Sequence, residues 1–550
     1  MAEEILVGDL VAEFLQAAGV DTAFGVVSVH NIPMLDGIGR RNAIRFVPTR
    51  GEMGAGHMAD AYARANGGLG VAFTSTGPGA ANITGPLVEA VFAGAPMLHI
   101  TGQTATGNVD KRQGAVHDVA DQLGMLESTS KTAFRVRSAD SALGTLMQAA
   151  RAAMSPPTGP VSIEIPIDIQ RTKIPRPELL DNLKIAPPAP DAGDESSLDL
   201  IAEKLLASKR PMLWTGNGAK FERSAVQRFI DMGIPLVTSG LGRGVVPETD
   251  PMVLGCFIAV PRVEAFYKTV DCMLIAGSRV RAHETRDLSV ELPDYRIQID
   301  IDPAANGRTY SSNLFHVGDA GAALHALADR LEGKLNLPQS YRDEIKQLKA
   351  DVHADYKKTL GPYADFAEQL RAAMPDDAMF VRDITKSHTT WGYRLFPILS
   401  PETNIYPVGA AIGPGFQMGM GAALGSGKKT VAMTGDGGFF LNLGEIWTAA
   451  QENIDCCILV MNDAQYGVIK DIQDALYGER HYFADPVGPP LDKLAELAGM
   501  PYFKVTDGSQ FGSTVAEALK VNGPTMVEVD MNAIGEFPRY FVPPPYAAKN

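Results

Sequence analysis

Short apolar runs alternate with amphipathic segments along the first third of the chain. Residues 7–18 and 141–154 have apolar positions at helical spacing, which predicts two amphipathic helices. Residues 68–75 and 95–101 are short runs rich in apolar and β-branched side chains, which predict buried strands. Strands that alternate with helices favour an α/β domain with a parallel sheet.

The same alternation continues in two further blocks. The second block contains candidate strands at 211–215, 272–276 and 295–301, and the third contains candidate strands at 430–433 and 456–461. The predicted fold class is therefore α/β, with three consecutive doubly wound α/β domains built on parallel sheets.

Composition indicates where these blocks meet. Residues 1–174 form the first predicted domain, and the segment 175–197 is predicted as a linker because it is rich in Pro and Asp without apolar periodicity. Residues 198–334 form the central domain, and residues 335–362 form a charged helical connector. The third domain extends over residues 363–550.

Length and charge agree with a large enzyme. A chain of 550 residues is too long to fold around a single hydrophobic core, and its 45% hydrophobic content argues against disorder. The net charge of -15 repels a polyanion over most of the surface, so we expect no nucleic-acid partner.

Neither secretion nor membrane insertion is expected. The acidic N-terminus lacks a signal pattern, and no stretch approaches the roughly 20 apolar residues that span a bilayer. The four cysteines show no metal-ligand spacing, so disulfides and zinc are not indicated. We therefore expect a cytoplasmic protein.

Two acidic residues follow neighbouring strands in the third block. Asp436 lies between glycines after strand 430–433, and Asp463 follows strand 456–461. A right-handed crossover places both strand ends on one edge of a parallel sheet, where such sheets bind ligands. Two carboxylates, a backbone carbonyl such as that of Gln465, and phosphate oxygens are ligands that Mg²⁺ prefers. The sequence thus predicts a magnesium clamp on a diphosphate.

This arrangement resembles the cofactor signature of the thiamine-diphosphate enzymes, in which Gly-Asp-Gly precedes an Asn-containing doublet by about 24 residues. The chain resembles the group of acetolactate synthase, benzaldehyde lyase and pyruvate oxidase, and its overall pattern is closest to the acetolactate synthase large subunit. The family usually has Asn where this chain has Asp463, although Asp is also a hard ligand. Each motif alone would predict only a tight turn. The resemblance implies pyrimidine-binding, central and diphosphate-binding domains, and cofactor contacts at Gly435, Gly437, Gly438, Tyr466 and Gly467.

A second signature lies in the first block. Glu52 opens a helix of small residues and matches the family glutamate that hydrogen-bonds the aminopyrimidine ring and promotes the tautomer that removes the C2 proton. The alternative is a carboxylate that is favoured at a helix N-terminus by the helix dipole. Gly79 and Asn82 belong to a Gly-Pro-Gly loop that resembles the loop lining the cofactor site.

Three polar residues of the first block are candidate substrate contacts. His30 matches a catalytic histidine of benzaldehyde lyase, and its neighbour Val29 would line the pocket; the alternative for His30 is a surface loop. The family places a glutamine on the reacting carbonyl, and either Gln113 or His117 takes that position here.

Further cofactor contacts are implied in the third block. Ser387 and His388 match the diphosphate-binding loop, with a helix start as the alternative. Gly413 belongs to the loop that carries the apolar wedge under the cofactor, for which Phe416 is the first candidate and Met418 the second. Both wedge candidates could equally be core residues.

Two features of the sequence bear on which substrate is used and on whether FAD is bound. In acetolactate synthases a tryptophan selects the acceptor 2-oxo acid, and its counterpart here is Ile472. The substitution argues against acetolactate synthase activity. The segments 277–281 and 300–303 resemble the region that holds FAD or a nucleotide in relatives, so FAD remains an open alternative; Arg279 and Arg281 could instead be solvated surface charges.

The resemblance implies a thiamine-diphosphate- and Mg²⁺-dependent enzyme that decarboxylates a 2-oxo acid such as pyruvate and transfers the acyl carbanion to a carbonyl acceptor. The alternatives are a lyase that cleaves 2-hydroxy ketones or 2-hydroxyacyl thioesters, and a non-catalytic cofactor-binding subunit. The family's sites lie between subunits, which implies a homodimer or homotetramer. The aromatic, Pro-rich segment 537–546 would be either a lid or a packed tail.

Overall fold

Three six-stranded sheets, each parallel throughout, organise the chain. The computed structural model describes residues 3–538. The strands of the first domain are β1 (Glu4–Leu6), β2 (Thr22–Gly25), β3 (Arg45–Pro48), β4 (Gly70–Thr74), β5 (Met97–Gln103), β6 (Thr132–Arg135), β7 (Val161–Pro166) and β8 (Lys173–Pro175). Its helices are α1 (Val7–Ala17), α2 (Ile32–Arg41), α3 (Glu52–Asn66), α4 (Pro78–Asn82), α5 (Thr84–Ala93), α6 (Gln122–Thr129), α7 (Ala142–Met154) and α8 (Ile167–Gln170).

The central domain and its connector follow. The strands are β9 (Pro211–Thr215), β10 (Leu236–Thr238), β11 (Val253–Gly255), β12 (Cys272–Ala276), β13 (Arg296–Asp300) and β14 (Leu314–Val317). The helices are α9 (Glu195–Ala207), α10 (Arg223–Asp231), α11 (Pro261–Tyr267), α12 (Ala320–Leu331) and, in the connector, α13 (Gln339–Lys358).

The third domain contains the predicted strand-helix-strand unit. Its strands are β15 (Met379–Arg382), β16 (Asn404–Ile405), β17 (Thr430–Gly435), β18 (Cys456–Asn462), β19 (Tyr502–Val505) and β20 (Thr525–Asp530). Its helices are α14 (Phe366–Ala373), α15 (Gly415–Ser426), α16 (Asp436–Leu441), α17 (Ile446–Gln451), α18 (Gly467–Leu476), α19 (Leu491–Ala498), α20 (Phe511–Leu519) and α21 (Met531–Ile534).

The strand orders confirm the predicted fold class of three doubly wound α/β domains. The first sheet has the order β3-β2-β4-β5-β7-β6 and the third has the order β16-β15-β17-β18-β20-β19, so these two sheets share one topology. The central sheet has the order β11-β10-β9-β12-β13-β14. In each sheet the strand order reverses at a switch point, which lies between β2 and β4, between β9 and β12, and between β15 and β17. Open sheets bind ligands at such switch points, beyond the carboxyl ends of the strands.

The first and third domains pack through α3 and α15, both rich in small residues. A Cβ atom at Gly421 would lie 2.1 Å from the backbone oxygen of Met58, so the two backbones touch where glycine is required. A similar contact joins Gly425 to Tyr62.

The segment between the first and central domains is more ordered than its composition predicts. Leu180 and Leu183 are buried in the core of the first domain, and α9 begins at Glu195 with an N-cap from Asp194, whose carboxylate accepts the N–H of Ser197 at 2.8 Å. Of the segment 537–546, predicted as a lid or a tail, only Phe537 and Pro538 lie within the described residues.

Candidate active site

The carboxyl ends of β17 and β18 bring Asp436 and Asp463 together. Gly435 pairs with Met461 in the parallel register, so the residues that follow both strands emerge on one edge. Asp436 begins α16 and is 3% exposed, and the charges of the two carboxylates interact. The strand-helix-strand pattern predicted this convergence.

Burial controls the electrostatics of the two carboxylates. Burial raises the pKa of Asp436, and the negative charge of Asp463 raises it further. Burial also raises the pKa of Asp463, while the Lys386 ammonium opposes the shift. The Oδ1 atom of Asp436 is buried and has no hydrogen-bond partner among the described residues. A divalent cation would satisfy that oxygen and favour both ionised forms, so the pair fits a metal.

The side chains of the described residues supply only part of a metal coordination sphere. Within residues 3–538 no cluster of three or more His, Cys, Asp or Glu side chains could hold a metal ion. The amide of Gln465, the third predicted metal residue, donates to Asp463 Oδ2 at 3.4 Å. A cation at this edge would therefore take further ligands from backbone, water or phosphate oxygens, as Mg²⁺ commonly does.

The predicted cofactor glycines lie where other groups approach the backbone. A Cβ atom at Gly437 would lie 2.5 Å from the ring of Tyr466, and one at Gly467 would lie 2.4 Å from Asp463 Oδ2. A Cβ atom at Gly438 would lie 2.8 Å from Asp383 Oδ2. Glycine is therefore needed at these positions, because a larger residue would collide with the side chains that already lie there.

Asp383 is a buried carboxylate at this edge that the sequence analysis did not single out. It follows β15 and accepts hydrogen bonds from the backbone N–H of Gly413 at 2.9 Å and the hydroxyl of Thr434 at 3.1 Å. Burial raises the pKa of Asp383 to about 6. The available sequence signal was an acidic residue two positions after the apolar run 379–381, similar to the placement of Asp436 shortly after the run 430–433.

Ser387 and His388 follow the same strand and are both buried. The ring of His388 lies 5.4 Å from that of Tyr393 and 5.5 Å from that of Tyr406. Burial holds the pKa of His388 well below its usual range, so the ring is neutral at pH 7. Ser387 Oγ and His388 Nδ1 have no hydrogen-bond partner among the described residues, which leaves two polar atoms available near the predicted diphosphate loop.

Both wedge candidates on α15 are fully buried. The ring of Phe416 lies 5.7 Å from that of Phe439, and Met418 packs in a small apolar cluster with Met379. Gly413, at the start of this segment, has a positive φ of 99° that favours glycine. The exposed apolar side chain here is Ile412, at 43%. In the sequence, Ile412 is recognisable as the apolar residue directly before Gly413-Pro414-Gly415.

In the first domain, Glu52 contacts both predicted cofactor residues of the Gly-Pro-Gly loop. The amide of Asn82 donates to Glu52 Oε2 at 3.1 Å, and a Cβ atom at Gly79 would lie 2.8 Å from Glu52 Oε1. The residue before Glu52 is held by the third domain, because Glu445 accepts the N–H of Gly51 at 3.2 Å. The carboxylate of Glu52 is thus held by Asn82 of its own domain, and the backbone before it is held by Glu445 of the third domain.

His30 and His117 form a pair at the switch point of the first sheet, beyond β2 and β4. Their ring centroids lie 5.2 Å apart, and His117 Nδ1 lies 3.3 Å from Ser75 Oγ. Burial first, and then the charges of His117 and Arg171, lower the pKa of His30. His30 is 9% exposed, so the structure excludes the surface-loop alternative for it.

The remaining predicted pocket residues are more accessible. Val29 is 60% exposed beside His30, and Gln113 is exposed in the loop that leads to His117. Of the two residues left open for the carbonyl contact, the structure therefore pairs His117 with His30. Ile472 lies half-buried on α18, the helix that follows the predicted metal residues.

The central domain corrects one expectation. Arg281 is not a solvated surface charge, because its guanidinium forms an ion pair with the buried Glu284 at 3.1 Å and its side chain is only 24% exposed. The guanidinium also donates to the carbonyl of Val408 in the third domain at 3.4 Å. Arg281 therefore joins two domains.

Three family models match most of the chain. Family models described as the N-terminal, central and C-terminal domains of thiamine pyrophosphate enzymes match residues 5–125, 198–327 and 385–529. Their descriptions name thiamine pyrophosphate and no flavin. No helix in the described part of the chain is both long and apolar enough to cross a membrane.

Several curated proteins are similar over nearly their whole length. A probable 2-ketoarginine decarboxylase of Pseudomonas aeruginosa is 30% identical, over 93% of this chain and 89% of that protein. The acetolactate synthase large subunit of Haemophilus influenzae is 28% identical, over 95% and 94%. The mitochondrial acetolactate synthase catalytic subunit of Saccharomyces cerevisiae is 25% identical, over 96% and 80%.

These matches agree with the order of the three domains. They exclude the non-catalytic alternative and leave the substrate open. The chain belongs to the thiamine-pyrophosphate-dependent enzymes, in the acetolactate synthase and decarboxylase group, and is an enzyme of the transferase or lyase type that uses thiamine diphosphate.

Proposed function

We propose that this enzyme decarboxylates a 2-oxo acid and passes the acyl group to a carbonyl acceptor, with Mg²⁺ held by Asp436 and Asp463. The observation that carries the proposal is the convergence of these carboxylates on one sheet edge, with an unpartnered buried oxygen on Asp436. The names of the relatives, a 2-ketoarginine decarboxylase and acetolactate synthases, support a 2-oxo acid substrate.

Each of the chain's groups has a defined task in this proposal. When bound, thiamine diphosphate supplies a nucleophilic thiazolium carbon and an electron sink for cleaving the carbon-carbon bond. Glu52, oriented by Asn82, would exchange a proton with a nitrogen of the aminopyrimidine ring. His30 is neutral at pH 7 because its pKa is lowered, so its ring can accept a proton near the substrate, with His117 beside it.

Glu52→Gln tests the catalytic part of the proposal. Calorimetry with thiamine diphosphate and Mg²⁺ should show binding close to wild type, whereas carbon dioxide release should fall about 10²–10⁴-fold, the usual contribution of a general acid-base group. The control is Glu127→Gln, an exposed glutamate on α6, which should leave both measurements unchanged. Normal turnover in Glu52→Gln would contradict the assigned role.

Product analysis separates the two enzymatic alternatives. The wild type is incubated with pyruvate, with 2-ketoarginine and with benzoin, and aldehyde, acyloin and cleaved products are measured. The proposal expects carbon dioxide from a 2-oxo acid and a coupled product when a carbonyl acceptor is added. Benzoin cleavage without decarboxylation of any 2-oxo acid would instead favour the lyase that cleaves 2-hydroxy ketones.

We further propose a homodimer or homotetramer in which Glu52 of one subunit serves the aspartate pair of another. Glu52→Gln and Asp436→Asn variants, each inactive alone, are unfolded together and refolded as a mixture. Random pairing into a twofold dimer should recover about a quarter of wild-type activity, because one site in each mixed dimer is intact. Activity that stays at the level of the separate variants would place both groups within one chain.

A further inference from the structure

Lys386 lies beside the aspartate pair, at the start of the segment 386–391 that resembles the diphosphate-binding loop, in which only Ser387 and His388 were predicted as cofactor contacts. Its Nζ atom is 3.0 Å from Asp471 Oδ1, and the two side chains are only 14% and 12% exposed. Lys386 leaves the loop after β15, and Asp471 lies on α18. This ion pair therefore ties the loop that precedes Ser387 to the helix that follows the metal residues.

Asp463 meets the same lysine over Gly467. A Cβ atom at Gly467 would lie 2.4 Å from Asp463 Oδ2 and 2.6 Å from Lys386 Cε, so both side chains occupy the space that a larger residue would fill. The ammonium of Lys386 opposes the rise in the pKa of Asp463 that burial causes, so the two charges interact. Lys386 is thus in electrostatic contact with carboxylates on two sides.

A cavity of about 270 Å³ opens at this point, with Lys386, Asp463, Gln465 and Asp471 in its wall. The family signature usually has an uncharged asparagine where this chain has Asp463, and the carboxylate adds a negative charge where a diphosphate would bind. An uncompensated carboxylate in an enclosed site repels an anion and is costly to bury. A lysine at this position offsets that charge and is itself a common phosphate-binding residue.

Lys470 is the natural comparison for Lys386, because both lysines line this cavity but have different neighbours. It is another lysine in the wall of the same cavity, but its Nζ forms an ion pair with Asp485, whose side chain is 62% exposed. Exposed pairs of this kind contribute little because water screens them. The two lysines have equal charge and share one cavity, but Lys386 approaches Asp463 over Gly467, whereas Lys470 pairs with Asp485.

We propose that Lys386 is a positioning residue of the cofactor site, whose ammonium compensates the extra carboxylate of Asp463 so that a magnesium-bound diphosphate is accepted at this edge. The inference rests on the proposed function, because it assigns the diphosphate and Mg²⁺ to the Asp436 and Asp463 edge.

A double-mutant cycle on binding tests the inference. The dissociation constant of thiamine diphosphate is measured by calorimetry at saturating Mg²⁺ for wild type, Lys386→Met, Asp463→Asn and the double variant. Lys386→Met should weaken binding about tenfold in wild type but less than about threefold in the Asp463→Asn background, because residues in contact show such coupling. Lys470→Met, the matched control, should stay within about twofold of wild type because its ion pair is exposed.

Thermal unfolding of the cofactor-free proteins supplies a second readout. Lys386→Met should lower the melting temperature because it removes the ammonium that pairs with Asp471 and lies beside Asp463. Lys386→Arg should preserve the melting temperature. Asp463→Asn should restore it in part in the double variant, because only Asp471 then lacks its counter-charge.

Equal effects of Lys386→Met in the two backgrounds would overturn the inference while leaving the proposed function intact. An equal loss of binding in Lys470→Met would also overturn it, because general electrostatics would then explain the result. Absence of thiamine diphosphate binding in wild type would overturn both proposals together.

Discussion

The imidazole rings of His30 and His117 lie 5.2 Å apart at the carboxyl edge of the first sheet. His30 lies in the loop after β2, and His117 reaches the same place from the loop after β5, with a positive φ of 66°. The Gly-Pro-Gly loop lies close to this pair, since His117 Nδ1 is 3.3 Å from Ser75 Oγ at the start of that loop. Two histidines whose charges interact therefore lie together at the edge of the first sheet where we propose that the reacting carbonyl binds.

We predict that His117→Gln raises the pKa of His30. Burial is the main cause that lowers this pKa and remains in the variant, but the second cause, the charge of His117, is removed. The pKa of His30 should therefore move upward yet stay below its ordinary value. Histidine ring NMR titration measures the shift, and any acid limb of activity that depends on neutral His30 should move to higher pH. His325→Gln, on the distant α12, is the control, and an unchanged His30 pKa in His117→Gln would contradict the predicted coupling.

Gly467→Ala should weaken cofactor binding. The added methyl would lie 2.4 Å from Asp463 Oδ2 and 2.6 Å from Lys386 Cε, so both must move. We expect the dissociation constant of thiamine diphosphate with Mg²⁺ to rise about 10–100-fold, as when residues that orient metal ligands are changed. The control is Gly144→Ala on α7, where the methyl meets no atom within 4 Å. Wild-type affinity in Gly467→Ala would show that this contact does not shape the site.

Glu89 should make stability depend on pH. It lies on α5, is 2% exposed, and accepts the N–H of Gly409 in the third domain at 2.8 Å. Burial, together with the charge of Asp60, raises the pKa of Glu89 from 4.5 to about 7. The folded state therefore holds this proton more tightly than the unfolded state, and its contribution to stability is lost as pH rises from about 4.5 to about 7.

Glu89→Gln should remove this dependence. Between pH 4.5 and pH 8, wild type should lose up to roughly 3 kcal/mol of unfolding free energy relative to the variant, by the linkage of pKa to stability. Urea unfolding at several pH values measures the difference, with the exposed Glu127→Gln as control. Parallel pH profiles for wild type and Glu89→Gln would contradict the prediction.

Gly421→Ala should destabilise the contact between the first and third domains. The added methyl would lie 2.1 Å from the backbone oxygen of Met58, which cannot move without shifting α3. We expect a loss of about 1–3 kcal/mol in the free energy of unfolding, as for other overpacked positions. Gly39→Ala on α2, where a methyl meets no atom within 4 Å, should be neutral or stabilising. A stability equal to wild type in Gly421→Ala would show that the two helices separate easily.

Much of the fold could be predicted from local patterns. Apolar runs marked β17 and β18 to within two residues of their ends, and Gly-Asp-Gly and Asn462-Asp463 marked where those strands stop. Parallel topology then placed Asp436 and Asp463 on one edge, because the period of a strand and the handedness of a crossover are properties of short segments. The sequence by itself therefore determined the fold class and the aspartate pair.

Other features were decided only by the tertiary structure. Neither the pairing of His117 with His30 nor the burial of His30 follows from spacing, since each depends on how loops from different strands pack. Likewise, Lys386 acquires its neighbours Asp463 and Asp471 only when three separate segments converge. Local sequence determines which residues follow a strand, whereas distances and desolvation between remote residues arise only when the whole chain packs and excludes water.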